Sequence, residues 1–152
     1  LPYLMGERSP HNNPAARATF TGMTMDTDRT DMTQAVLEGV AFAIRDSFEV
    51  AKSLGINVTE TKICGGGAKM IANILNIKVS VPVTEEGPAL GAAMLAAVGT
   101  GAYKNVEEAA SHIVKIKETI EPDKEIAARY EKKYQQFKKI YPALKSVFDE
   151  FD

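Results

Sequence analysis

The sequence predicts an α/β protein in one domain, residues 1–152, with a mostly parallel sheet flanked by helices. Three observations carry that expectation. Short apolar runs alternate along the chain with longer segments of helical period, in the order strand, long helix, strand, helix, strand, helix. Three consecutive glycines, Gly65 to Gly67, end one short apolar run and open a helix. Composition is also ordinary for a packed domain, with 45% apolar and 25% charged residues.

Residues 1–5 and 19–23 read as short strands, the second because apolar and polar positions alternate. Between them, Gly6 to Arg17 holds Pro10, Pro14 and two asparagines, too many breakers for regular structure. The clearest helix spans Asp31 to Leu54, with Thr30 as N-cap and Gly55 as its C-terminal stop. Its charged residues Glu38, Arg45, Glu49 and Lys52 share one stripe and the remainder is apolar or small, so the helix is expected to be largely buried. Gly39 in its middle costs about 1 kcal/mol relative to Ala, which predicts close packing there.

Thr61 to Cys64 reads as a strand, 71–75 as a short helix and 78–81 as a strand. Pro88 suits the first turn of a helix over 89–98, whose alanines and Gly91 allow close neighbours. Another short helix covers 106–112. From Pro122 onward, Ile126, Tyr130, Tyr134, Phe137, Tyr141, Leu144, Phe148 and Phe151 recur at steps of three or four, a continuous apolar seam. Pro142 is expected to kink or restart this helix. The seam reads as a docking face, within the chain or across a homodimer boundary.

Eighteen Lys and Arg stand against twenty Asp and Glu, so charge gives no reason to expect nucleic acid or a membrane surface as partner. The single Cys64 excludes an internal disulfide and suits a reducing, cytoplasmic setting. No apolar run approaches the ~20 residues that cross a bilayer. The start lacks both an initiator Met and a signal-peptide pattern, and is expected to be cut from a longer protein.

Strand, glycine turn and helix is the arrangement here with an evident chemical use. Glycines let backbone approach a ligand closely, and free N–H groups at a helix start favour phosphate. Taken alone, the turn serves packing as readily as nucleotide binding, for it is neither a Walker A loop nor a G-x-G-x-x-G fingerprint.

Longer motifs add to this. Pro2-Tyr3-Leu4-Met5-Gly6-Glu7-Arg8-Ser9-Pro10-His11 resembles the PYLxGERxPH segment of the FGGY carbohydrate kinases. Ala18, Phe20, Gly22, Met23, Asp31, Met32 and Ala35 to Phe42 fit that family's second signature. Ile63 to Lys69 resembles its adenosine motif, and Glu86 to Ala93 the companion near the nucleotide.

That resemblance implies an actin-like, ribonuclease-H-like ATPase fold, of which this chain is the C-terminal, nucleotide-binding lobe. It implies ATP with Mg²⁺ as cofactors and a small ketose as substrate, D-xylulose foremost, with gluconate, ribulose, glycerol and fuculose as rivals. By the same resemblance Gly66, Gly67 and Ala68 approach the adenosine and α-phosphate, flanked by Gly65 and Lys69. The loop bearing Gly6, Glu7 and Arg8 would lie toward the cleft. The family's catalytic aspartate, phosphate loops and sugar-binding lobe lie upstream of the segment matched by Leu1, so no catalytic or metal-binding residue is assigned and the isolated chain is expected to be inactive. The family also carries about six further residues, Ser and Trp among them, where Lys69 here meets Met70. Either the adenine site is weakened by a true deletion or, as this reading favours, the chain is broken between those two residues.

Simpler roles stand beside these. Glu7 and Arg8 could orient a ligand or pair with each other; His11 could touch a ligand or sit solvated in its loop. Cys64 is expected to be a small buried hydrophobe, His112 a surface residue, and Asp26, Asp28 and Asp31 turn and capping residues rather than a cation site.

Overall fold

The computed structural model describes residues 1–151. Five helices and three strands follow in the order α1 (Arg29–Ser53), β1 (Glu60–Lys62), α2 (Ala68–Leu75), β2 (Lys78–Pro82), α3 (Gly87–Gly99), α4 (Val106–Ile113), β3 (Ile116–Ile120) and α5 (Lys124–Phe148). The sheet runs β1-β2-β3. Strands β1 and β2 are parallel, with Glu60 opposite Lys78, and α2 makes the crossover. Strands β2 and β3 are antiparallel, with Val79 opposite Ile120. The α/β class holds, but the sheet is mixed rather than mostly parallel. Strand β3 was not foreseen, although the alternation of Val114, Ile116 and their lysine neighbours carried a faint signal for it.

Helix α1 starts earlier than expected, because Asp28 and not Thr30 is its cap. The Asp28 carboxylate accepts from the N–H groups of Thr30 and Asp31 at 2.7 and 2.9 Å, and Asp31 accepts from the Asp28 N–H at 3.2 Å. This reciprocal box accounts for both aspartates. At the other end Gly55, at φ +84°, donates to Lys52 O and Ile56 to Ala51 O, the hydrogen-bond pair of a Schellman stop.

The burial of α1 reverses the expectation. Its charged stripe is the seam against α5: Lys133 Nζ lies 2.8 and 2.9 Å from the two carboxylate oxygens of the buried Glu38, and Arg45 pairs with Glu131. Its apolar residues Val36, Leu37, Val40 and Ile44 are exposed. An ideal Cβ on Gly39 would meet nothing within 4 Å, so nothing in this chain packs closely against it.

Helix α5 supplies more of the core than any other element. Tyr134 and Phe137 pack with Ala41, Phe42 and Ile74, and Tyr141 and Phe148 pack with Tyr3 and Ala16. A third cluster, Ala68, Ala72 and Val79, fixes α2 on the sheet. The α5 seam is therefore satisfied within the chain. Pro142 neither ends nor restarts the helix, which continues to Phe148. Asp123 caps α5 with its side chain, and its own N–H donates to the buried Asn73 Oδ1 at 2.8 Å, tying α5 to α2.

Neither strand expected near the N-terminus forms. Leu1 and Thr19 exchange two backbone hydrogen bonds, Leu1 N to Thr19 O at 2.7 Å and Thr19 N to Leu1 O at 3.1 Å, and the pairing stops there. Gly22, at φ +78°, then turns the chain out of the extended conformation.

In the core, Tyr134 Oη donates to Asp46 Oδ1 at 2.6 Å. Burial pushes the Asp46 carboxyl above its ordinary 3.8, while the Tyr134 hydrogen bond pulls it down. The folded chain therefore keeps this proton to higher pH than the unfolded chain, and stability falls as pH rises through the interval opening near 3.8. Asp46→Asn retains an acceptor for Tyr134. It is expected to match the unsubstituted chain below that interval and exceed it at neutral pH, read from urea midpoints. Tyr134→Phe leaves the carboxylate without its donor and is expected to cost about 1–3 kcal/mol in the same measurement.

Candidate functional site

Strand β1 and the pairing of Ile63 N with Ser80 O at 3.0 Å bring the chain to Cys64, where it leaves the sheet. Gly65 and Gly67 adopt φ +92° and +83°, a region that residues with a Cβ enter at a cost of about 1–2 kcal/mol. Above Gly65, Gly66 and Gly67 an ideal Cβ meets nothing within 4 Å, so the turn's backbone is open to an approaching group.

Gly67 is the N-cap of α2 and has no side chain to occupy the helix start. The N–H groups of Ala68, Lys69 and Met70 lack intrahelical partners at this position, and the helix dipole adds positive potential. Ala68 is buried against Ala72 and Val79 and fixes the turn to the core, while Lys69 is exposed.

A second loop meets the first. Because β2 is parallel to β1, its C-terminal end opens on the same side of the sheet, and residues 83–87 lead there into α3. Pro88 lies in the first turn of α3 as foreseen. The Cys64 Sγ lies 3.8 Å from Thr84 O, and a Cβ on Gly87 would stand 3.3 Å from that sulfur. Gly87 thus permits contact between the two loops. The crevice beyond the C-terminal ends of parallel strands is where open α/β sheets hold ligands.

One expectation at this turn is corrected. Cys64 is exposed, not buried, because β1 already ends at Lys62. Helix α2 runs through Lys69 and Met70, and Ile71 N bonds Gly67 O across them at 3.0 Å. The crossover to β2 closes without the additional residues.

The loop of Gly6, Glu7 and Arg8 leads into Pro10 and His11, which line a cleft with Asp46, Glu49 and Ser53, in the C-terminal half of α1. No hydrogen bond among the described residues joins this loop to the glycine turn.

The loop is internally braced. A Cβ on Gly6 would come within 2.8 Å of the Pro14 backbone. Glu7 accepts from the N–H groups of Ser9 and His11, both at 2.7 Å, rather than pairing with Arg8. His11 is stacked on Tyr141 with centroids 3.6 Å apart, not solvated. Sequence reasoning did not reach that stack or the Tyr134–Asp46 contact, since both join residues distant in the chain. Among the described residues no three His, Cys, Asp or Glu side chains converge to hold a metal. His112 is exposed, and no helix among the described residues is long and apolar enough to cross a membrane.

Residues 1–100 match the FGGY family of carbohydrate kinases, C-terminal domain. The chain belongs to that family. It is 34% identical over 152 residues to the xylulose kinase of Staphylococcus epidermidis, covering 96% of this chain and 31% of the relative. Among solved structures, a ligand-bound xylulose kinase from Lactobacillus acidophilus aligns at TM-score 0.85 and 26% identity, over 100% of this chain and 32% of that one. A gluconate kinase from the same organism aligns at TM-score 0.84 and 26% identity, with the same coverages. The FGGY chain therefore has the C-terminal-lobe fold of these kinases and spans about a third of the length of the relatives it matches.

Gly67→Val places a branched side chain at φ +83° on the open face of the turn. The fold, read by circular dichroism, is expected to persist. On the reading that the turn holds a nucleotide, affinity for ATP is expected to fall at least about tenfold, or about 1.4 kcal/mol, by calorimetric titration.

Proposed function

We propose that this chain is the nucleotide-binding lobe of an ATP-dependent sugar kinase that converts D-xylulose to D-xylulose 5-phosphate. The observation that carries the reading is the glycine turn. It lies open beyond two parallel strands at a helix start with free N–H groups, in a chain of the FGGY family. Phosphoryl transfer depends chiefly on positioning and on neutralising charge as the phosphoryl group moves. The part of this chain is to bind and orient. Gly65, Gly66 and Gly67 let the backbone meet the adenosine and α-phosphate, Ala68 anchors the turn, and Lys69 flanks it with a cation.

Mg²⁺ would neutralise charge on the nucleotide phosphates. With no converging acidic cluster among the described residues, its protein ligands, the catalytic base and the sugar contacts are assigned to polypeptide outside residues 1–152. Residues 1–152 then form one domain of a larger cytoplasmic enzyme and are inactive alone. The xylulose kinases among the similar proteins favour D-xylulose, while the gluconate kinase at equal structural likeness keeps gluconate as the second reading.

The test is ADP release by the intact protein with ATP, Mg²⁺ and, in parallel, D-xylulose, D-ribulose, gluconate and glycerol. The expected result is a kcat/KM for D-xylulose at least about tenfold above the others, with none from the 152-residue chain. Preference for another polyol would move the substrate. ATP binding without turnover on any of the four would replace the kinase reading with a non-catalytic actin-like module.

A further inference from the structure

The loop of residues 6–16, α1 and α5 border a cleft of about 330 Å³ that shares no residue with the glycine turn. Tyr3 lines it and is 5% exposed. Its hydroxyl is the one buried side-chain polar atom without a protein partner among the described residues. A buried donor left unpaired costs free energy, so such an atom marks a place where a further group belongs. Burial, and after it the charge of Asp46, push the Tyr3 phenol above its ordinary 10.0, so it stays protonated and able to donate.

The same cleft holds a spare acceptor. Asp46 is 7% exposed; Tyr134 donates to its Oδ1, and among the described residues no group donates to its Oδ2. His11 stacks on Tyr141 at 3.6 Å and stands at 78° to the Tyr3 ring, 5.8 Å away between centroids. Among the described residues neither of its ring nitrogens is hydrogen-bonded, since its bond to Glu7 uses the backbone N–H. Glu49 and Lys138 line the cleft with opposite charges. An anion would therefore face Asp46 and Glu49, and a cation would face Lys138. A neutral hydroxyl meets neither objection, because it accepts and donates at once.

We propose that this cleft binds a small neutral polyol, one hydroxyl of which accepts from Tyr3 and donates to Asp46. Its volume stands at the low end of the about 300–1,000 Å³ of ligand pockets, which suits a molecule of a few carbons. The stacked His11 and Tyr141 offer its C–H groups an aromatic wall, and the His11 ring can take a second hydroxyl. The bracing of the loop by Glu7 holds His11 in place before the ligand arrives, so little ordering is needed on binding. The occupant joins the N-terminal loop to α1 and α5.

Xylitol titrated into the 152-residue chain, followed by the imidazole resonances of its two histidines, tests this. His11 stands at the cleft, and the exposed His112 is the internal reference. The expected result is a saturable shift of His11 alone, with affinity at least about tenfold weaker in Tyr3→Phe. Without ligand, Tyr3→Phe is expected to have a Tm no lower than that of the unsubstituted chain, because the hydroxyl it removes has no partner there. Absence of a saturable His11 shift overturns the proposal, as does equal affinity in Tyr3→Phe. Parallel shifts of His112 overturn it too, since they mark the general action of polyols as excluded cosolvents. A lower Tm for unliganded Tyr3→Phe also overturns it, for the hydroxyl then has a structural water only as its partner. Binding is read without ATP or turnover, so its outcome is independent of the kinase reading.

Discussion

The union of α1 and α5 is the constraint on which the rest of this lobe depends. Tyr134 stands at its centre, less than 2% exposed, donating to Asp46 while the Arg45 guanidinium lies 4.0 Å from its ring centroid. Arg45 also bonds Ile74 O at 3.1 Å and pairs with Glu131, so one side chain holds α1, α2 and α5 in register. Buried charges are tolerated only when their hydrogen-bonding capacity is met. The core here leaves few choices: shifting α5 by one turn would separate Glu38 from Lys133, Arg45 from Glu131 and Asp46 from Tyr134 together. The glycine turn inherits its position from this union, because Ala68 and Ala72 sit on α2 and Ile74 of the same helix is clamped between α1 and α5.

The two ends of the lobe are built differently. The loop of residues 6–16 is braced by hydrogen bonds from Glu7 and Asn13 to its own backbone and to α5. Asn13 bonds Tyr141, Glu7 bonds two loop amides, and Arg17 bonds Pro14 O and Ala16 O. The glycine turn makes little use of its polar groups and leaves its backbone open. Internal bracing at one end contrasts with spare hydrogen-bonding capacity at the other.

Much of this was legible from local pattern. The Gly55 stop, the Pro88 start and the apolar seam of α5 each depend on residues within a turn or two of one another, and periodicity reads such signals directly. The glycine turn was visible for the same reason, since three adjacent glycines need no tertiary context to stand out. What failed were inferences about partners. Glu38 and Arg45 look like a solvated stripe until Lys133 and Glu131 are placed beside them. Strand β3 is short and exposed along most of its length, so burial did not impress a strong alternation on its sequence.

The core's composition also sets when it can exist. Phe42 and Ile74 pack against Tyr134 and Phe137, and Tyr3 against Tyr141 and Phe148. Every one of those partners lies beyond residue 100, where the family match ends. On a ribosome, Ala68, Ala72 and Val79 can meet before the last helix is made, while Phe42 and Ile74 wait for it. Synthesis order therefore delays completion of the core until α5 is free to fold back. A stop codon or proteolytic cut before Tyr134 would remove the lid of the core rather than a dispensable tail.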